Sequence, residues 1–177
     1  MKVVLRSLAL VAAVCLLAGC VNKDKQAACP GMVALSDAST LHVFRAGAPA
    51  DPSNVLYTVE IARVHGICEI SKRSHEVDAD IDVYFRATRA PNGQPAQYNV
   101  AYFIAVTQGD RIVNKLPFTA QISFAPGEAV AEVTETAPTT EIHLEEGKHA
   151  WDYQVLAGMP LTKGDLDYNR TIGRYGQ

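Results

Sequence analysis

EVDADIDVYFRAT, at residues 76–88, alternates at every step between small or apolar side chains and polar ones. Successive side chains of a β-strand point to opposite faces of the sheet, so a period of two separates the two sets. The polar set includes four acids, which indicates a solvated face of the kind that antiparallel sheets expose. The stretch therefore predicts a half-buried strand, ended by the turn-rich residues 89–95. The predicted buried face consists of Val77, Ala79, Ile81, Val83, Phe85 and Ala87.

The same period recurs on both sides of this strand. Turn signals such as Gly109-Asp110 and Pro126-Gly127 separate the segments, and no amphipathic helix lies between them. Eight or nine short strands predict an all-β protein, an antiparallel β-sandwich of immunoglobulin-like or fibronectin-like size. A closed barrel is the main alternative. The further predicted strands are residues 32–35, 41–44, 56–64, 98–107, 115–124, 129–136, 140–144 and 151–159.

The C-terminal end has a different pattern. Thr162-Lys163-Gly164-Asp165 resembles a capping box, which predicts a short helical turn over residues 163–169, although Gly164 weakens it. Residues 171–177 are expected to be a flexible tail. Without internal repeats, the pattern predicts one sandwich domain over residues 29–170.

The N-terminal end reads as an export signal. Lys2 and Arg6 precede an apolar run that is about half the roughly 20 residues needed to span a bilayer, as in the core of a signal peptide. The following Leu17-Ala18-Gly19-Cys20 resembles the lipobox of bacterial lipoprotein precursors. The resemblance implies a signal peptide at residues 1–19 and a diacylglyceryl group on the Cys20 thiol. An ordinary secretory signal cut nearby, which would leave a soluble periplasmic protein, is the alternative.

The residues after Cys20 are short and polar, and we interpret residues 20–28 as the lipidated N-terminus and a tether. The eight residues before Cys29 span at most about 26–29 Å, which would hold the domain close to the membrane. The lipobox family often has Asp after the Cys when a protein stays at the inner membrane. Val21 therefore favours the outer membrane, in an organism that has one, with the domain facing the periplasm.

Charge and cysteine content limit the partners. Loss of Lys2 and Arg6 with the signal changes the net charge from −3 to −5, and such an acidic domain lacks the basic surface that nucleic acid needs. With Cys20 assigned to lipid, Cys29 and Cys68 remain as a pair in an oxidising compartment, which predicts a disulfide. A redox or metal role would fit a Cys-x-x-Cys spacing, whereas here 38 residues intervene.

No residue pattern points to catalysis, a metal or a cofactor. Asp78, Asp80 and Asp82 suggest a calcium site, but alternate strand residues lie about 6.5–7 Å apart, too far for all to share one ion. A solvated face, with Lys or Arg on neighbouring strands, is the alternative that we favour. His65 and Cys68 suggest half of a zinc site, but no second pair has the required spacing. Because nucleophile motifs are also absent from the sequence, we expect a protein that is not an enzyme.

Aromatic side chains leave two interpretations open. Tyr102, Phe103, Trp151 and Tyr153 lie in apolar strands, where core packing is the usual role. Alternatively, Tyr98, Tyr102 and Trp151 converge on a concave surface that binds a small ligand or a glycan.

Short motifs along the domain resemble a family of uncharacterised alphaproteobacterial envelope lipoproteins. They are Cys29-Pro30, Cys68, Arg89-Ala90-Pro91, Tyr102-Phe103-Ile104-Ala105-Val106, Lys115, Phe118, Leu161-Thr162, Leu166 and Tyr168-Asn169-Arg170. This family implies a location and no activity. The leading hypothesis is a lipid-anchored, non-enzymatic interaction or structural module of the cell envelope with an envelope protein as partner. The alternative is a periplasmic module that binds a small ligand or a glycan.

Overall fold

The structure, a computed structural model, describes residues 29–71, 73–91 and 93–175. The predicted signal peptide, the lipid site Cys20 and the tether lie outside the described residues. No helix within the described ranges is long and apolar enough to cross a membrane.

Eight strands and one α-helix make up the described chain, with single turns of 3₁₀-helix at Ser36–Ala38, Pro52–Asn54 and Ala150–Asp152. In chain order the elements are β1 (Gly31–Ala34), β2 (Thr40–Phe44), β3 (Val55–Ser71), β4 (Glu76–Arg89), β5 (Ala96–Gln108), β6 (Arg111–Phe124), β7 (Val130–His143), β8 (Tyr153–Gly158) and α1 (Lys163–Tyr175).

The strands form two four-stranded sheets, ordered β1-β8-β5-β6 in the first sheet and β2-β3-β4-β7 in the second. Every pair is antiparallel except β1 with β8, which is parallel. The predicted all-β sandwich is therefore confirmed, as two separate sheets. Its resemblance to the immunoglobulin sandwich is one of architecture. In an immunoglobulin constant domain the second strand lies beside the fifth, whereas β2 here pairs with β3 alone.

Residues 76–88 lie in β4, a central strand of the second sheet. All six side chains of its predicted inner face are buried, with relative exposures of 0–1%. They pack against inward side chains of β5, such as Val100 and Ile104, and against Val155 of β8. Burial of this apolar surface between the two sheets is the main stabilising term of the fold.

Strand β3 is longer than predicted, because it continues through His65-Gly66-Ile67-Cys68 to Ser71. Gly66 permits this path. A Cβ atom there would lie 2.3 Å from the carbonyl oxygen of Asp80 and 2.6 Å from Sδ of Met32. The bare glycine thus lets β1 of the first sheet pass closely over β3 of the second.

The predicted pair of Cys29 and Cys68 is confirmed. The two sulfurs lie 1.97 Å apart and the Cα atoms 5.8 Å apart. The disulfide joins Cys29, two residues before β1, to the second half of β3 and so ties the two sheets together.

The C-terminal helix begins as predicted and ends later. The Thr162 hydroxyl accepts from the Asp165 backbone N–H at 3.2 Å, and the Asp165 carboxylate accepts from the Thr162 N–H at 2.9 Å. The helix then continues six residues past the predicted end, through part of the expected tail, to Tyr175. Tyr168 and Asn169 dock the helix on β2, and local propensity does not reveal such contacts.

Candidate functional site

A surface groove of about 540 Å³ lies where α1 approaches the first sheet. The turn after β1, the segment that joins β8 to α1, and outward side chains of β5 and β6 form its walls. Its apolar part includes Leu35, Phe103, Leu161 and Leu166, and its charged part includes Asp37, Lys115 and Arg170.

Phe103 occupies the centre of the groove and points outward because it alternates with the buried Tyr102 and Ile104 on β5. Its ring covers the backbone of Gly158, where a Cβ atom would lie 2.7 Å from the ring Cζ. The ammonium of Lys115 lies 3.9 Å from the ring centroid on the neighbouring strand. The result is a half-buried aromatic ring with a cation against it, an arrangement worth about 0.5–1 kcal/mol near a surface.

The second cationic side chain of the groove, Arg170, belongs to α1. Two guanidinium nitrogens of Arg170 donate to one oxygen of Asp37, at 2.7 and 3.1 Å. These hydrogen bonds raise the pKa of Arg170 above its already high usual value. Lys115 and Arg170 outnumber Asp37, so the groove carries positive charge in a chain whose net charge is −3.

The position of α1, and with it one wall of the groove, depends on β2. The side-chain amide of Asn169 donates to the carbonyl oxygen of Thr40 at 2.7 Å, and its oxygen accepts from Nδ1 of His42 at 3.0 Å. The ring of Tyr168 packs edge-on against His42 and Phe44, both at 5.0 Å between centroids. Burial lowers the pKa of His42, against the opposing effects of Asn169 and Asp165.

Apolar side chains continue outside the groove. Val33 of β1 and Ile112 and Leu116 of β6 are among the most exposed large apolar residues described. Strand β6 is an edge of the first sheet, and Pro117 within it has no backbone N–H to offer. Because β1 and β6 are the opposite edges of this sheet, Val33 lies apart from the two β6 residues.

The acidic row of β4 lies on the outer face of the second sheet. Asp82 and Asp80 accept hydrogen bonds from Thr136 and Thr139 at 2.7 and 2.8 Å. The residues opposite Asp78 on its two neighbouring strands are acids, Glu69 and Glu141, so the expected cross-strand Lys or Arg is not found there. The neighbouring threonines provide hydroxyl donors instead. Among the described residues, no group of three or more His, Cys, Asp or Glu side chains could hold a metal ion.

The remaining predicted site residues do not converge. Tyr102 is 3% exposed and Tyr153 1%, both within the core, and burial raises the pKa of Tyr102 to about 12. Tyr98 stacks on Tyr57 at the border of the core, with centroids 4.0 Å apart. Trp151 is 58% exposed and lies outside the groove. A binding surface built from Tyr98, Tyr102 and Trp151 together is therefore not formed.

Two further polar positions, Cys68 and Glu145, have structural partners. The sulfur of Cys68 is committed to the disulfide, which leaves the neighbouring His65 without a thiolate ligand beside it. The carboxylate of Glu145 pairs with Arg111, and hydrogen bonds from Arg111 and Gln108 lower its pKa. The sequence did not single out the stack of Gly158, Phe103 and Lys115. Lys115 of β6 pairs with Ala105, two residues from Phe103 on β5, so only strand register brings the two side chains together.

Comparison with models of protein families, with curated proteins and with solved structures found no match for this chain. The lipobox at Leu17 to Cys20 and the resemblance to envelope lipoproteins therefore stay predictions.

Proposed function

We propose that this protein is a lipid-anchored, non-enzymatic module of the cell envelope that binds an extended segment of a partner protein in the groove. The observation that carries the proposal is the half-buried Phe103 ring, which lines the groove with Lys115 against it, beside the Asp37–Arg170 pair. The lipobox and the disulfide between Cys29 and Cys68 support an address on the outer side of the cytoplasmic membrane. Cys20 is the proposed lipid site, and the outer membrane is favoured.

The chemistry of the groove suggests what the partner segment contains. An apolar side chain would pack on Phe103 and Leu161, and an acidic side chain nearby would pair with Lys115. Within the described residues, the only contact found for the Lys115 ammonium is the Phe103 ring, so no internal carboxylate competes for it. An apolar centre with a charged rim is the usual anatomy of a protein interface.

Site-specific photo-cross-linking in intact cells tests the proposal. A photoreactive residue at Leu35, in the groove, should give a discrete adduct with an envelope protein. The same residue at Glu141, on the outer face of the second sheet, is the matched control and should not give that adduct. Lys115→Glu should abolish the adduct at Leu35. An identical adduct from both positions, or none from Leu35, would contradict the proposal.

A small amphipathic ligand is the second candidate, because about 540 Å³ lies within the roughly 300–1,000 Å³ range of ligand sites. Native mass spectrometry of the purified lipidated protein separates the candidates. A bound small molecule that Phe103→Ala removes would favour the ligand, and the bare protein mass would favour the polypeptide. The anchor has its own test. Cys20→Ala should release the protein from the membrane fraction, and unchanged membrane attachment would refute lipidation at Cys20.

A further inference from the structure

We infer that the end of the sandwich where the tether enters rests on the lipid bilayer, with Trp151 in the headgroup region. This inference rests on the proposed lipid anchor at Cys20 and goes further, because it assigns a membrane-binding surface to the folded domain itself. The observations concern the position of Trp151, its exposure and the length of the tether.

Strand register places Trp151 at the same end of the domain as the tether. The folded chain begins at Cys29, and Gly31 of β1 pairs with Gln154 of β8 in a parallel register. The 3₁₀ turn Ala150–Asp152 immediately precedes β8. Since both strands start at this end and run in the same direction, Cys29 and Trp151 mark one end of the sandwich.

Trp151 is held outward. The neighbouring Ala150 is 2% exposed and anchors the turn in the core, whereas Trp151 is 58% exposed. The backbone N–H of His149 donates to the Asp152 carboxylate at 2.8 Å, which fixes the turn. The His149 ring stacks on the indole at 4.2 Å with an angle of 8° between the planes. One face of the indole is thus supported, which presents the ring in a defined orientation.

A second apolar group lies at this end. The turn between β5 and β6 is set by the pairing of Gln108 with both Arg111 and Tyr153. Ile112, just after that turn, is 60% exposed, and Val113 is 38% exposed. Trp is enriched where membrane meets water because the ring is apolar while its N–H still finds a partner. Beside it, aliphatic side chains add apolar area for insertion.

The length of the tether favours a bilayer as the partner of this end of the domain. Eight residues separate Cys20 from Cys29, and eight residues span at most about 26–29 Å. The 14 residues of β4 extend about 45 Å, so the opposite end of the sandwich lies beyond the maximal reach of about 26–29 Å. Tethering keeps a weakly membrane-binding surface at high effective concentration next to the bilayer. The groove, at the other end of β1 and β8, stays accessible in this orientation.

The chain contains one tryptophan, so its fluorescence reports on Trp151 alone. The lipidated protein is reconstituted into phosphatidylcholine vesicles and compared with Cys20→Ala in solution. We expect emission at shorter wavelength, a several-fold loss of acrylamide quenching, and quenching by lipids brominated near the acyl carbonyl. Because insertion is apolar, the shift should persist at high salt.

A transplanted tryptophan provides the control. Leu56, the second residue of β3, is exposed at the opposite end, so Trp151→Phe with Leu56→Trp should report no change on vesicles. Protein that floats with the vesicles while Trp151 keeps the emission and quenching of Cys20→Ala would overturn this inference and leave the anchor intact. Equal shifts from Trp151 and from Trp at position 56 would also overturn it. Protein that does not float would overturn the anchor and this inference together.

Discussion

Replacing Asn169 by alanine should weaken the docking of α1 on β2, because this one side chain makes the hydrogen bonds to His42 and Thr40. Each lost hydrogen bond costs about 0.5–1.5 kcal/mol. Alanine has a higher helix propensity than asparagine, by up to about 0.7 kcal/mol, and this gain partly offsets the lost hydrogen bonds. The hydrogen bonds should dominate, and we expect a net destabilisation of the docked helix by about 1–2 kcal/mol. This corresponds to a roughly 5- to 30-fold increase in local opening.

Hydrogen exchange of the backbone amides of α1 measures this opening directly. Gly164→Ala is the matched control on the same helix. A Cβ atom at Gly164 would meet only Thr162 Oγ1 at 3.7 Å, an ordinary contact, so this change alters propensity without touching β2. It should slow exchange by up to about fivefold, from roughly 1 kcal/mol of propensity. If Asn169→Ala also slows exchange or leaves it unchanged, propensity and not docking determines the position of α1, and the reasoning is wrong.

Three further perturbations follow from other contacts. Arg89 donates to four backbone carbonyls of the loops around it, so Arg89→Ala should lower the free energy of unfolding, measured in urea, by about 2–4 kcal/mol. Arg89→Lys should retain part of this stability. A loss below about 1 kcal/mol for Arg89→Ala would contradict the prediction. The double variant Cys29→Ser, Cys68→Ser lacks the cross-link between residues 39 positions apart, and its free energy of unfolding should be lower by about 4 kcal/mol. If reductant leaves the urea midpoint of the unsubstituted protein unchanged, this prediction is wrong. Burial lowers the pKa of His42 below 6.5, so the unfolded chain binds more protons and stability declines as pH falls from 6.5 towards the lowered pKa. The difference from His42→Gln across that window isolates the effect, and parallel pH profiles would disprove it.

The sequence predicted the elements whose burial is local and periodic. Strand β4 alternates without a break, and each of its inner residues is buried as expected. The predicted strand over residues 56–64 ends before Gly66, whereas β3 continues to Ser71. Its continuation depends on Met32 filling the space over Gly66, which is a contact between distant parts of the chain. From the sequence alone, a glycine indicates a weak position in a strand. Only the packing of distant segments shows that Gly66 permits a close approach of two backbones.

The groove was hidden from sequence analysis for the same reason. Its central ring, Phe103, belongs to a run that is apolar on both faces, so the sequence offered no sign that one of its members faces outward. Lys115 pairs with Ala105, two positions from Phe103 on the same face of the sheet, and Arg170 comes from a helix that is longer than predicted. Side chains from three distant segments meet only after register and helix docking are fixed. The disulfide between Cys29 and Cys68 was easier to predict, because these two cysteines remain as a pair once Cys20 is assigned to lipid.

The edges of the two sheets favour binding through side chains over the addition of a strand. An exposed edge can pair with another chain through its free backbone groups, and proteins commonly obstruct such edges. Here β1 has four residues, and β2 is covered by α1 through Asn169. The two remaining edges, β6 and β7, contain Pro117 and Pro138, which cannot donate to a partner strand. A partner that reaches this domain would therefore find its strongest contacts in the groove around Phe103, and its specificity would depend on the charges of Lys115 and Arg170 more than on main-chain pairing.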